Sequence, residues 1–115
     1  MSLVENLFEQ TKTALRDSKP SEAAELAAKA LILSPDDMRL VLLRGVALRR
    51  SGNSLEAESY LRRIINEPSS VPLAHHELGL ALSAMGRLAE GIASVDAAVA
   101  LDPNLLTAWR DLYQL

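Results

Sequence analysis

Cysteine is missing from this 115-residue chain, and aromatic residues make up only 3% of it. The first absence excludes a disulfide framework and any metal centre held by thiolates. The second removes the stacking surfaces that single-stranded nucleic acid uses. Charge of one sign is also lacking: 12 basic and 15 acidic residues are interspersed and sum to −3, so no overall positive field holds a polyanion. No apolar run approaches the ~18 residues of a membrane span. Met1-Ser2-Leu3 leads into acidic residues instead of the basic start of a secretory signal. These absences predict a cytoplasmic chain with no nucleic-acid and no membrane partner. Catalytic signatures are lacking too, since there is no nucleophile elbow, no phosphate-cradling glycine loop and no His-Glu metal motif. A non-enzyme without cofactor is expected. What is present, 49% hydrophobic and 23% charged residues, suits one globular domain.

The hydrophobic residues are ordered by an internal repeat. Gly45 recurs as Gly79, Gly52 as Gly86, Ala47 as Ala81, Leu48 as Leu82 and Leu78 as Leu112, each pair 34 residues apart. Three registers run through all units: Glu22, Glu56 and Glu90; Ala23, Ala57 and Gly91; Leu31, Ile65 and Val99. Units therefore fall at 4–37, 38–71 and 72–105, with the first ten residues of a fourth at 106–115.

Within each unit the apolar spacing is helical, and breakers mark the ends. Ser2 with Glu5, and Asn53 with Glu56, read as capping boxes; Pro20 and Pro72 suit helix starts; Gly52 and Gly86 suit left-handed stops. Asp36 and Asp37 fit the first turn of a helix, where acids favour the macrodipole. The spacing predicts seven helices, near 2–17, 20–33, 37–51, 54–67, 71–85, 88–101 and 104–115, and no strand.

A 34-residue, two-helix unit with small residues at fixed places and a late proline resembles the tetratricopeptide repeat. The third unit carries the match through Leu78-Gly79, Leu82, Gly86, Val95, Ala98 and Pro103, and Ala108-Trp109 with Leu112 opens a fourth. Thr11 and Ser18 depart from it where the other units have glycine, Gly91 replaces alanine, and Pro68 falls one residue early. The resemblance implies an all-α, right-handed superhelix of antiparallel helix hairpins spanning 1–115. Independently of the name, Gly45 and Gly79 predict tight crossings of the two helices at Ala57 and Gly91.

The resemblance further implies that the first helix of each unit lines a concave groove that binds another protein or peptide. Its positions map onto Phe8 and Lys12; onto Arg39, Leu42, Leu43, Val46, Arg49 and Arg50; and onto Leu73, His76, Glu77 and Leu80. Glu5, Glu9, Leu15, Arg16, Ser83 and Ala84 complete the rows. Phe8, Leu42, Leu43, Val46, Leu73 and Leu80 make an apolar strip with basic flanks. Such a strip has three readings: a groove for a peptide or helix, a surface filled by a second copy or by further chain, or ordinary core between adjacent helices. Members of the family that bind chaperone tails clamp a terminal carboxylate with lysine, asparagine and arginine. Here the matching positions are Phe8, Lys12, Leu43, Leu73 and Glu77, of which Lys12 alone fits, so that ligand is not expected.

Other constellations read blandly. His75 and His76 point about 100° apart on a helix and lack a third ligand, so no metal is expected. Arg49 and Arg50 lie on one helix face and Arg62 and Arg63 on another, the latter suited to ion pairs with Glu58 or Glu67. The fourth unit starts without a second helix, leaving Trp109, Leu112, Tyr113 and Leu115 as candidates for self-association. The chain then reads as a piece of a longer protein. An alternative function is a non-catalytic arm that oligomerises a larger bacterial enzyme or orients its substrate; similar arrays precede transferase domains in some bacterial proteins.

Overall fold

A computed structural model describes residues 1–66 and 72–104. All regular structure among them is α-helical, in six helices: α1 (Leu3–Arg16), α2 (Pro20–Leu33), α3 (Met38–Arg50), α4 (Ser54–Ile65), α5 (Pro72–Ala84) and α6 (Leu88–Leu101). The expected helices are all present to within two residues except the seventh, near 104–115, which lies outside the described residues, as do Pro68 and Glu67.

Each helix starts and stops for a local reason. Ser2 caps α1 by accepting a bond of 3.1 Å from the Glu5 amide. Glu5 does not close the box: its carboxylate turns to Arg39 of the next unit, 2.8 Å away. Asp37 lies before the first turn of α3 and caps it, accepting from the Arg39 amide at 3.1 Å. Asn53 holds the cap position of α4 without a side-chain capping bond, its amide reaching Ser51 instead. α2 and α5 begin at proline, whose missing N–H leaves no donor orphaned there.

The three turns inside hairpins share one geometry. In each, a residue at positive φ donates its N–H three residues back and the next donates five back, the Schellman pattern. Gly52 has φ +93° and Gly86 φ +81°, and Ser18, 34 residues before Gly52, has φ +58°. The left-handed region crowds a Cβ, so serine is strained where glycine is not. Ser18→Gly is expected to stabilise the fold by about 0.5–1 kcal/mol in urea unfolding; a loss of stability would show that the Ser18 turn does not follow its two counterparts.

Consecutive helices pack as hairpins, α1 on α2, α3 on α4 and α5 on α6, and the hairpins stack in chain order through α2 on α3 and α4 on α5. In addition α1 touches α3 and α3 touches α5, with no comparable pairing among α2, α4 and α6. The first helices of the units thus lie on the inside of a curved solenoid and the second helices fan around its outside. The core is continuous across units: Leu15, Leu43, Val46, Leu61, Leu73, Leu78 and Leu82 belong to one buried cluster.

The close crossings are uneven. A Cβ on Gly79 would stand 2.7 Å from the Gly91 carbonyl oxygen and 2.5 Å from Val95 Cγ2, so these two backbones do touch. At Gly45 the neighbour is the Leu61 side chain at 2.8 Å, not Ala57. In the first unit Thr11 takes the glycine's place, fully buried, with its hydroxyl donating to the Leu7 carbonyl oxygen at 2.7 Å.

Candidate functional site

The inner face is formed by α1, α3 and α5, one register every 34 residues. Of the positions expected on it, Phe8, Lys12, Leu42, Arg49, Arg50, His76 and Leu80 are half-buried and Arg39 is exposed. Leu43, Val46, Leu73 and Glu77 are buried. For Leu43, Val46 and Leu73 the expectation of an accessible strip is corrected: α3 touches both α1 and α5, and these three side chains are sealed in the core cluster. The accessible apolar part is thereby reduced to Phe8, Leu42 and Leu80.

Cations organise this face. The Phe8 ring lies between two of them, Lys12 Nζ at 4.7 Å and the Arg39 guanidinium at 4.3 Å from its centroid, an arrangement favoured by the ring quadrupole. Lys12 also meets Glu9 at 3.1 Å. Arg39 is held from both sides, by Asp37 through two bonds of 3.1 and 2.8 Å and by Glu5 at 2.8 Å. The Arg39 bonds hold both carboxyls below their usual range and push the guanidinium further up. Arg49 reaches from α3 to α5, where its Nε donates to Glu77 Oε2; Glu77 is fully buried and its second oxygen has no partner among the described residues.

The outer face carries a separate network. Glu58 of α4 accepts from Arg62 at 2.8 Å and from Arg87 at 2.9 Å, and Arg87 continues to Glu90 at 2.7 Å. Burial acts to raise the Glu58 carboxyl, but the two arginines outweigh it, and Arg87 lowers Glu90 as well. Arg62 is thus paired with Glu58 as expected, and Arg63 donates to the Pro35 carbonyl oxygen at 3.3 Å.

These lowered carboxyls set a pH dependence. A carboxylate with a folded pKa below its unfolded value stabilises the fold fully above the unfolded value, about 4, and loses that contribution as pH falls through the folded one. Glu5, Asp37, Glu58 and Glu90 all act in this direction. The Tm is expected to hold between about pH 7 and 5 and to fall below about pH 4. A Tm unchanged at pH 3 would mean that these ion pairs do not form.

Elsewhere, α6 exposes Leu88, Ile92, Val99 and Leu101. Its Val99 repeats Leu31 and Ile65, which pack against the following units. Trp109, Leu112, Tyr113 and Leu115 lie outside the described residues. His75 and His76 are half-buried, and no three His, Asp or Glu side chains converge on a metal position among the described residues. No described helix is long and apolar enough to cross a membrane. The Arg49–Glu77 pair is the feature that sequence reading misses: the groove register holds both positions, but the 34-residue period does not say that they meet.

A family profile described as tetratricopeptide repeat matches residues 8–72. No curated protein matches the chain. The matched span covers more than half of the 115 residues, and it runs through two hairpins whose turns, crossings and stacking are those just described. Proteins built from this repeat generally serve as non-catalytic scaffolds that bind other proteins. On the matched span and on the stacked hairpins alike, the chain belongs to the tetratricopeptide repeat family.

Proposed function

We propose that the chain is a protein-interaction scaffold that receives a helical or extended peptide segment of its partner on the inner face of α1, α3 and α5. The observation that carries this reading is the grouping of half-buried Phe8, Leu42 and Leu80 on successive first helices, flanked by cations that are already held in place. Half-buried apolar side chains with rigid charged neighbours give a partner surface to bury at little ordering cost. The receiving surface is narrower than the full strip of six apolar residues, because three of those support it from within.

The test uses a phage-displayed library of random dodecamer peptides selected on the whole chain. Leu80→Glu is expected to weaken selected peptides by about tenfold or more, since a charge would have to be buried against the partner's apolar anchor. Leu55→Glu, at an exposed position on α4, is expected to leave binding unchanged. Both variants should keep the wild-type circular dichroism spectrum. Peptides that bind the Leu80 variant as well as the wild type would place recognition away from this face.

A further inference from the structure

We infer that Arg49 is the specificity-determining residue of the inner face, there to receive a side-chain carboxylate of the bound segment. The inference rests on the reading of that face as a peptide site and adds the chemistry of its ligand: an acidic residue close to an apolar anchor.

Two other cations of the face, Lys12 and Arg39, are matched at the surface. Lys12 has Glu9, and Arg39 has both Glu5 and Asp37. Arg49 differs because its partner is inside the protein. Glu77 is 0% exposed, whereas the Arg49 side chain keeps 22% of its surface in solvent. A partner approaching from outside therefore meets the cation and not the anion that holds it.

The donor count points the same way. Arginine has five N–H donors in a planar fork. The bond to Glu77 uses Nε, and neither terminal amino group of Arg49 has a hydrogen bond to a described residue. The two terminal amino groups form the edge of the guanidinium that pairs bidentately with a carboxylate. Anchoring Nε in the α3–α5 seam removes side-chain freedom before any ligand arrives, which lowers the ordering cost of binding. Leu80 of α5 and Leu42 of α3 stand on the two helices that the pair joins, so an acid and an apolar side chain of one short segment can be served together.

The experiment takes the strongest dodecamer from the selection above, labelled with fluorescein, and replaces each of its acidic residues by the matching amide. Fluorescence anisotropy on the whole chain is expected to show at least one such replacement weakening Kd about tenfold. Arg49→Gln combined with Glu77→Gln removes both charges without stranding a buried carboxylate; on that protein the same replacement should change Kd less than about twofold. Arg49→Lys, which keeps the charge and loses the fork, should forfeit most of the discrimination. Selected peptides whose acid-to-amide replacements are all silent on the wild type, or equally harmful on the wild type and the double variant, overturn the role of Arg49 while leaving the groove intact. Peptides indifferent to Leu80→Glu overturn the groove itself, and this inference with it.

Discussion

Gly79→Val is expected to destabilise the protein by about 3 kcal/mol, the upper end of what overpacking costs, and to lower Tm by about 12 °C in a domain of this size. The reason is the identity of the atoms in the way. A Cβ at residue 79 meets the Gly91 carbonyl oxygen at 2.7 Å and the Val95 backbone nitrogen at 3.1 Å. Backbone cannot rotate aside, so α5 and α6 must separate along their length, and the γ-methyls of valine widen the separation. Gly45→Ala is the informative control. Its Cβ meets the Leu61 side chain, which has some freedom to shift, and alanine gains about 1 kcal/mol of helix propensity over glycine. The net change there is expected to stay within about 1 kcal/mol. Urea unfolding followed by circular dichroism measures both. Equal effects at the two glycines would mean that the backbone contact between α5 and α6 is not the one described.

Arg49→Ala is expected to cost about 3 kcal/mol, because it leaves the Glu77 carboxylate buried with no counter-charge. Arg49 retains some contact with water, which holds the figure at the lower end of the range for buried pairs. Glu77→Leu should cost far less, within about 1 kcal/mol, since an apolar side chain of similar volume suits a fully buried position and frees Arg49 to turn to solvent. The double substitution should therefore be more stable than Arg49→Ala alone. Measured by chemical unfolding, this ordering separates a stranded charge from simple loss of contact area. If Arg49→Ala and Glu77→Leu cost the same and add in the double variant, the two side chains are not coupled.

Reading by period succeeded where a residue's role is decided by its immediate neighbours. The Ser18 turn shows how strongly: glycine is replaced, yet the backbone adopts the same left-handed conformation as at Gly52 and Gly86. Conversely, the period assigns a face and not a depth. Leu43 and Leu42 are adjacent in sequence and share the groove register, but one is sealed in the core and the other is half-buried. Leu31, Ile65 and Val99 share one register as well, and the exposure of Val99 against the packing of the other two follows from what lies on the next hairpin. Capping acids were misassigned for a related reason. Glu5 had a local partner available in the cap, and Arg39 of the following unit competed for it successfully.

The order of helices, their ends and the positions where two of them can approach were set locally, by the spacing of apolar residues, by proline and by residues that tolerate a left-handed turn. Those effects act within one unit, over distances that chain connectivity alone imposes. How far the inner helices close on one another, and so which apolar side chains are core and which remain available, was decided by stacking. The same holds for the choice of Glu77 as the anchor of Arg49, because contacts between units depend on crossing geometry that 34-residue periodicity does not encode.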